Sequence, residues 1–218
     1  MRKILMIQIL TLTTLISFGQ IKSIDLNKIR SLANKDSYNK LFDRFIANDT
    51  TLSLDDYVII YYGQAFRENY KPNARHDSVK VLNMYLNNNK DSIDFHKVLS
   101  YTNMILNDFP FNIEQIYIAW IAYDKIGVKD SSDIWFYKYD RLIRTIMSSG
   151  DGKTPKTAFI VAKITDEYSI LNALGLQLTG QALISKKKKS YDLMNVAQNQ
   201  YGIDKLYFDI NLFFGKWR

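Results

Sequence analysis

The spacing of apolar residues changes at one place in the chain, the serine- and glycine-rich segment 148–152. Before it, apolar residues recur every three or four positions, most regularly over 95–109, which is the period of an amphipathic helix. After it they alternate with polar residues, most regularly over 204–212, as in a strand with one buried face. The sequence therefore predicts an α+β fold, in which helical hairpins in 20–149 pack on a small antiparallel sheet in 150–218.

Stop and start signals divide the helical part into short helices. Ser53 followed by Asp56 has the pattern of a capping box, which starts a helix. Pro110 is expected to end one helix, and Gly127 is expected to cap the next at its C-terminus. The links between these helices are short, which favours antiparallel neighbours.

The β-rich part is predicted to contain four extended segments and one short helix. Strands are expected at 157–164, 176–184, 190–197 and 204–212, and the helix is expected at 166–174. Polar turns separate the later segments, so we predict an antiparallel meander with one solvated face. In the last strand one face should be buried and the other solvated. The buried face is expected to carry Leu206, Phe208, Ile210 and Leu212, and the solvated face Lys205, Tyr207, Asp209 and Asn211.

The first residues of the chain have the pattern of an export signal. Two basic residues precede an apolar stretch over 4–16, and Ser17 and Gly19 place small residues where signal peptidase reads them. The sequence thus predicts a signal peptide at 1–19, with export of a single domain, 20–218, to the periplasm or beyond. A buried N-terminal helix and an uncleaved anchor are the alternatives, although the apolar stretch is short for a bilayer.

Composition excludes several kinds of site. The chain has no cysteine, so it has no disulfide, no thiol nucleophile, no thiolate metal ligand and no lipid-modified cysteine. The net charge is +7, and it falls to +5 when Arg2 and Lys3 leave with the signal peptide. Basic residues are scattered except for the lysine run 186–189, which argues against nucleic-acid binding. No transmembrane segment is expected in the mature form.

Residues 98–143 resemble a tetratricopeptide helix pair. Pro110 stands where that repeat ends its second helix, and Tyr123, Gly127 and Phe136 fall in phase within the helices that follow. The match is partial, and a coincidental likeness between helical hairpins is the alternative interpretation.

A second resemblance covers most of the chain after the predicted signal peptide. Short motifs on both sides of the 148–152 segment carry it. They are Tyr61-Tyr62-Gly63, Phe66, Tyr70-Lys71-Pro72, Gly150-Asp151-Gly152, Ala158-Phe159-Ile160-Val161, Asp166-Glu167-Tyr168, Leu174-Gly175, Gly180-Gln181, Tyr191-Asp192 and Tyr207-Phe208-Asp209. In these motifs the chain resembles the exported family catalogued as domain of unknown function 4919. The resemblance implies an exported single-domain protein, and it implies no activity.

Two motifs that suggest phosphate or metal binding are weak. The segment 150–154 has Met147 where a P-loop has its first glycine, and it follows a helix instead of a strand, so a flexible turn is favoured. His76 and His96 fall on separate predicted helices without ligand spacing, which favours surface or helix-end positions. No catalytic, cofactor-binding or metal-binding residue is therefore assigned, and no cofactor is expected.

Three further groups of residues have a possible functional role. Asp166-Glu167-Tyr168 offers two adjacent carboxylates for acid–base chemistry, but a helix N-terminal cap is the favoured interpretation. The run 186–189 suits phosphate or anionic headgroups, but a solvated hairpin is favoured. Tyrosines on the predicted helices either line a ligand groove or pack in the core. They are Tyr57, Tyr61, Tyr62, Tyr117, Tyr123, Tyr137 and Tyr139.

We therefore expect a non-catalytic binding or scaffolding protein that meets a protein or another component of the cell envelope. The first alternative is an envelope hydrolase that uses Asp and Glu carboxylates, which would need paired buried carboxyl groups in a cleft. The second is a protein that associates with an anionic membrane surface through residues 186–189.

Overall fold

A computed structural model describes residues 23–89, 92–186 and 188–215. The predicted signal peptide at 1–19 lies outside the described residues. The described residues form eight α-helices and four β-strands. The helices are α1 Leu26–Leu32, α2 Asp36–Ile46, α3 Leu54–Gly63, α4 Ser78–Asn88, α5 Phe95–Asp108, α6 Ile113–Lys125, α7 Lys129–Met147 and α8 Thr165–Ala173. The strands are β1 Phe159–Ile160, β2 Leu178–Lys186, β3 Lys189–Val196 and β4 Lys205–Asp209.

The predicted start and stop signals define helices of the N-terminal part. Ser53 accepts a hydrogen bond from the backbone N–H of Asp56, whose carboxylate accepts from the N–H of Ser53, so a capping box begins α3. Helix α5 ends at Asp108, just before Pro110. Gly127, with a φ of 76°, lies directly after the end of α6. It ends that helix, whereas the tetratricopeptide phasing implied a position within one.

The predicted boundary between the helical and β-rich parts is confirmed at the end of α7. A Cβ on Gly150 would collide with the carbonyl oxygen of Thr157, and Gly152 adopts a φ of 69° that favours glycine. The backbone N–H groups of Asp151 and Gly152 both donate to that same Thr157 carbonyl, at 3.0 and 2.8 Å. This segment is therefore a turn that binds its own backbone, and those two amides do not face a phosphate.

The predicted α+β fold is confirmed, with one difference in the sheet. The strand order is β1-β4-β3-β2, in which β2, β3 and β4 form the expected antiparallel meander. The strand predicted at 157–164 is only two residues long, and it pairs parallel with β4, so the sheet is mixed. The carbonyls of Ile160 and Ala162 accept hydrogen bonds from the hydroxyls of Tyr62 and Tyr70, which lie in the helical part.

Strand β4 has the predicted buried face but lacks a fully solvated one. Leu206, Phe208 and Ile210 are buried, as expected, in a core shared with α3, α7 and α8. Asp209 and Asn211, which we expected on the solvated face, are buried as well. Asn211 continues the ladder with its side chain, because its amide accepts from the Ser190 N–H and donates to the Ser190 carbonyl, at 3.0 and 3.1 Å.

Strand β2 is an edge strand and lacks the buried face that its alternating sequence predicts. It pairs with β3 on one side, and the described residues form no strand on its other side. Leu183 is 62% exposed, and the half-buried apolar residues are Leu178 and Ile184. Among the described residues, no helix is both long enough and apolar enough to cross a bilayer.

Candidate functional site

Helix α8 lies between a buried pair of acidic residues and a groove at the surface. One side of the helix is buried against α3 and the sheet, and it carries Asp166 and Glu167. The opposite side carries Tyr168 and Asn172, and it faces a groove beside α6 and α7. The residues predicted only as a helix cap therefore occupy the interior of the protein.

Asp166 is held by a buried hydrogen-bond network with α3. The Tyr61 hydroxyl donates to the Asp166 carboxylate at 2.6 Å, and it accepts from the Ala162 N–H at 3.1 Å. The same carboxylate accepts from the Lys163 N–H at 3.2 Å. Burial raises the pKa of Asp166 to about 6, although the Tyr61 hydrogen bond and the Lys163 charge act in the opposite direction. The residue at the helix N-cap is Ile164, which forms no side-chain cap, so the predicted cap is corrected.

Glu167 is the most unusual buried group among the described residues. Its side chain is inaccessible, and neither carboxyl oxygen has a hydrogen-bond partner by ordinary geometry. Burial, followed by the charge of the neighbouring Asp192 carboxylate, raises the pKa of Glu167 to about 10. Asp192 pairs with Phe208 across β3 and β4, so its side chain lies on the sheet face that packs on the core. The raised pKa keeps the Glu167 carboxyl group protonated at neutral pH.

A chain of hydrogen bonds joins this acid pair to the surface of α8. The Tyr168 hydroxyl donates to the Gln181 amide oxygen at 2.7 Å, and the Gln181 amide nitrogen donates to Asp192 at 2.9 Å. Tyr168 is 44% exposed, so one end of the chain reaches solvent and the other reaches the buried Asp192 carboxylate. The orientation of the Tyr168 ring is set by this connection.

The groove lies between α6, α7 and α8 and has a volume of about 440 Å³. Its lining combines aromatic rings with hydroxyl, amide and carboxyl groups. The lining residues are Ile113, Glu114, Tyr117, Tyr139, Thr165, Tyr168, Ser169 and Asn172. This mixture of apolar walls and a few polar groups is typical of sites for small polar ligands.

The aromatic wall of the groove is supported from behind by Trp120. Tyr117 and Tyr139 have ring centroids 5.4 Å apart and planes at 54°. Trp120 meets the edge of Tyr117 at 5.6 Å and stacks on Tyr139 at 5.9 Å. Glu114 stands in the first turn of α6, where the helix dipole favours a carboxylate, and partial enclosure raises its pKa.

The helical tyrosines divide between the groove and the core. Tyr117 and Tyr139 line the groove, as the functional interpretation required. Tyr57, Tyr61 and Tyr62 are core residues. Tyr123 packs against the smaller core under α4, α5 and α6, and the Tyr137 hydroxyl donates to the Leu52 carbonyl at 2.7 Å. Glu114, Tyr168 and Asp192 were missed by sequence reasoning as members of a site. The motifs around Tyr168 and Asp192 were visible in the family resemblance, but Glu114 had no signal.

The two histidines are separated in the fold. His76 precedes α4, accepts a hydrogen bond from the Ser78 N–H at 3.0 Å, and lies 3.5 Å from an Asp108 oxygen. His96 is exposed in the first turn of α5. In the part of the chain that the structure describes, no group of three or more His, Asp or Glu residues could hold a metal ion.

The lysines of the run that the structure describes lie where β2 connects to β3, as predicted, since Lys186 ends β2 and Lys189 begins β3. Lys188 adopts a φ of 66°, which is a left-handed turn conformation. The Lys189 ammonium lies 3.5 Å from the buried Asp209 carboxylate, so this lysine has a fixed partner, contrary to the expectation that the whole run is solvated.

Comparison with known proteins gives one match. The model of the family described as domain of unknown function (DUF4919) matches residues 22–216. No curated protein and no solved structure matches the chain.

Proposed function

The chain belongs to the domain of unknown function 4919 family, and we propose that it is an exported, non-catalytic binding protein whose ligand occupies the groove between α6, α7 and α8. The observation that carries the proposal is the lining of that groove. Three tyrosines from three different helices surround a space that also exposes hydroxyl, amide and carboxyl groups. Tyrosine suits such sites, because its ring gives apolar contact area while its hydroxyl stays accessible to hydrogen bonds.

Binding is favoured over catalysis by the position of the carboxyl groups. Hydrolysis by paired carboxylates needs both groups beside the substrate, one as acid and the other as base or nucleophile. Of the residues that line the groove, Glu114 is the one with a carboxyl group. Asp166 and Glu167 lie on the buried side of α8, where a substrate in the groove does not touch them.

Filling the groove tests the proposal directly. Asn172 is exposed at the groove, so Asn172→Trp should occupy the space without disturbing the core. Asn103 is exposed on α5, away from the groove, and Asn103→Trp is the matched control. In a ligand-observed NMR screen of sugars, amino acids and amines, hits on the parent chain should be lost in Asn172→Trp and kept in Asn103→Trp. Hits that survive Asn172→Trp, or a screen without hits, would contradict the proposal.

An envelope hydrolase is the second candidate, and the raised pKa values of Asp166 and Glu167 favour it. The two candidates differ in their response to Glu167→Gln. A hydrolase that uses this acid would lose activity by orders of magnitude with this substitution, measured on a panel of chromogenic glycosides and peptides. A binding protein would show no hydrolysis in the parent chain, and the variant would retain the parent's ligands.

Export is tested at the N-terminus. The small residues Ser17 and Gly19 predict that the mature protein begins at Gln20 or at its cyclised form. N-terminal sequencing of protein from the envelope or medium checks this. Full-length protein retained in the cytoplasm would overturn the export part of the proposal.

A further inference from the structure

The groove has the walls of an aromatic cage. Tyr117 and Tyr139 form two walls at 54° to each other, and Tyr168 forms a third from α8. The faces of such rings are electron-rich, so rings that surround one space attract a cation placed between them. Trp120 packs against the first two rings, which fixes them before a ligand arrives.

The charge of the residues that line the groove also favours a cation. Glu114 is the one charged residue among those that line it. Its carboxylate forms no ion pair with any residue that the structure describes, although the chain as a whole carries a net charge of +7. A carboxylate and aromatic faces both attract a cation electrostatically, whereas a neutral group gains neither attraction.

The third wall is held in place by groups outside the groove. Tyr168 donates its hydroxyl to Gln181, which in turn donates to Asp192. The hydroxyl is therefore already engaged outside the groove, and the ring is the part of Tyr168 left for a ligand. Beyond the rings, Thr165 and Asn172 offer a hydroxyl and an amide to the rest of a bound molecule.

We propose that the groove binds an organic cation, an ammonium or quaternary ammonium group on a polar tail, with Glu114 opposite the charge and Tyr117, Tyr139 and Tyr168 around it. The inference rests on the proposed binding function, since it assigns the ligand class of the same groove. A neutral sugar would use the same tyrosines for stacking, but it would gain nothing from the charge of Glu114.

A pair of probes with equal shape tests the charge. Choline and its neutral isostere 3,3-dimethylbutan-1-ol differ in the quaternary nitrogen, which the isostere replaces with carbon. Titration calorimetry of the full-length protein at low salt should give an affinity at least about ten-fold higher for choline, which corresponds to about 1.4 kcal/mol. Equal affinities, or binding of the alcohol alone, would overturn the inference.

Two variants locate the effect. Glu114→Gln should reduce the preference for choline by about ten-fold, while Glu68→Gln, at an exposed position outside the groove, should leave it unchanged. Asn172→Trp should abolish choline binding. Choline binding that survives Asn172→Trp would place the cation elsewhere and overturn the inference.

The same experiments distinguish failure of the cation inference from failure of the proposed binding function. If N-acetylglucosamine binds, choline does not, and Asn172→Trp still blocks the sugar, then the groove is a ligand site but not a cation site. If neither binds and the NMR screen is empty, both the inference and the proposed function fail.

Discussion

The helical part, residues 26–147, and the sheet part, residues 148–215, bury different kinds of polar group. In the helical part they include tyrosine hydroxyls that donate to backbone carbonyls, beside neutral side chains such as Thr102, Gln115 and Ser132. The pairs are Tyr38 with Ile60, Tyr62 with Ile160, Tyr70 with Ala162 and Tyr137 with Leu52. In the sheet part the buried groups include the carboxyls of Asp166, Glu167, Asp192 and Asp209. A paired hydroxyl stays neutral below pH 10, whereas a buried carboxyl titrates, so the two parts should respond differently to pH.

The helical part also contains one buried cation with the opposite behaviour. The Lys138 ammonium lies 4.0 Å from the centre of the Phe45 ring and donates to the Asn48 side chain at 2.7 Å. The ring contact favours the charged form, but burial is the larger influence and lowers the pKa of Lys138 to about 7. Each part thus contains a buried group whose charged form is destabilised, an acid in one and a base in the other.

The largest expected change in stability comes from removing apolar contacts in the core of the sheet part, which offset the cost of burying the acids. Phe208 is fully buried on the core face of β4, with its ring 5.8 Å from that of Phe159. Phe208→Ala should reduce the free energy of unfolding by roughly 3–5 kcal/mol, because it removes a large buried ring and leaves a cavity. Lys205 is exposed on the same strand, and Lys205→Ala should cost under about 0.5 kcal/mol. Urea midpoints measure both, and comparable midpoints would show that the strand register is wrong.

The next effect is the pH dependence of stability below neutral pH. Burial raises the pKa of Glu167 from its ordinary value of 4.5 to about 10 in the fold, so the folded protein keeps a proton that the unfolded chain releases. Stability should therefore fall as pH rises from 5 to 7, by at most about 1.4 kcal/mol per pH unit. Asp166, raised from 3.8 to about 6, adds a fall of the same sign below pH 6. Unfolding free energies from urea titrations at several pH values measure the slope, and stability that rises from pH 5 to 7 would contradict the account.

Above pH 7 the buried acid of the sheet part and the buried base of the helical part should change the stability in opposite directions. Burial lowers the pKa of Lys138 from its ordinary value of 10.5 to about 7 in the fold. The unfolded chain therefore binds one proton more than the folded chain in this range, and the contribution of Lys138 to stability rises with pH. The two slopes cancel between pH 7 and 10, and the parent protein should show a plateau. Glu167→Gln should turn the plateau into a rise, because it removes the titrating acid, and Lys138→Met should turn it into a fall, because it removes the titrating base. If the two variants show the same dependence of unfolding free energy on pH, this account of the two buried groups is wrong.

A smaller effect tests the contact between the two parts. Tyr61→Phe removes the donor to Asp166 and the acceptor of the Ala162 N–H, and it should cost about 1–3 kcal/mol. The loss should be greater at pH 8 than at pH 5, because the ionised carboxylate depends more on the donor. Tyr57 is equally buried, but its hydroxyl forms no hydrogen bond with a residue that the structure describes, so Tyr57→Phe is the control. Equal losses in the two variants would mean that the Tyr61 network contributes no stability.

The features that the sequence predicts are those with local causes. Helix starts such as the Ser53–Asp56 box, the stop at Gly127 and the boundary at 148–152 depend on neighbouring residues, and the structure confirms them. The hydrogen bonds that Tyr62 and Tyr70 donate to the carbonyls of Ile160 and Ala162, in contrast, join residues about ninety to a hundred positions apart. Periodicity has no information about such partners.

The same reason explains the error at Asp166 and Glu167. Two acids at the start of a helix are a common surface pattern, and the local sequence favoured a cap. Their burial follows from Tyr61 and Asp192, which only the folded chain brings to α8. A signal did exist, because Tyr61, Asp166, Glu167 and Asp192 all belong to motifs of the family resemblance. Their convergence on one helix is visible only in three dimensions.

The smallest expected effect separates the lysines of the β2–β3 turn. Lys189 lies 3.5 Å from buried Asp209, so Lys189→Gln should cost up to about 1 kcal/mol, because the carboxylate then depends on Asn211 alone among its described side-chain partners. Lys186 is exposed at the end of β2, and Lys186→Gln should change stability by under about 0.5 kcal/mol. Equal urea midpoints for the two single variants would show that the Asp209 pair contributes nothing.

Changing all four lysines of 186–189 to Gln would lower the mature charge from +5 to +1, and this variant should bind liposomes more weakly than the parent only at low salt. If the parent binds liposomes at about 0.3 M salt and the variant without the four lysines does not, the membrane-surface alternative is favoured. Salt at that concentration screens exposed charges beyond several Å, so the contacts that remain must be close and specific.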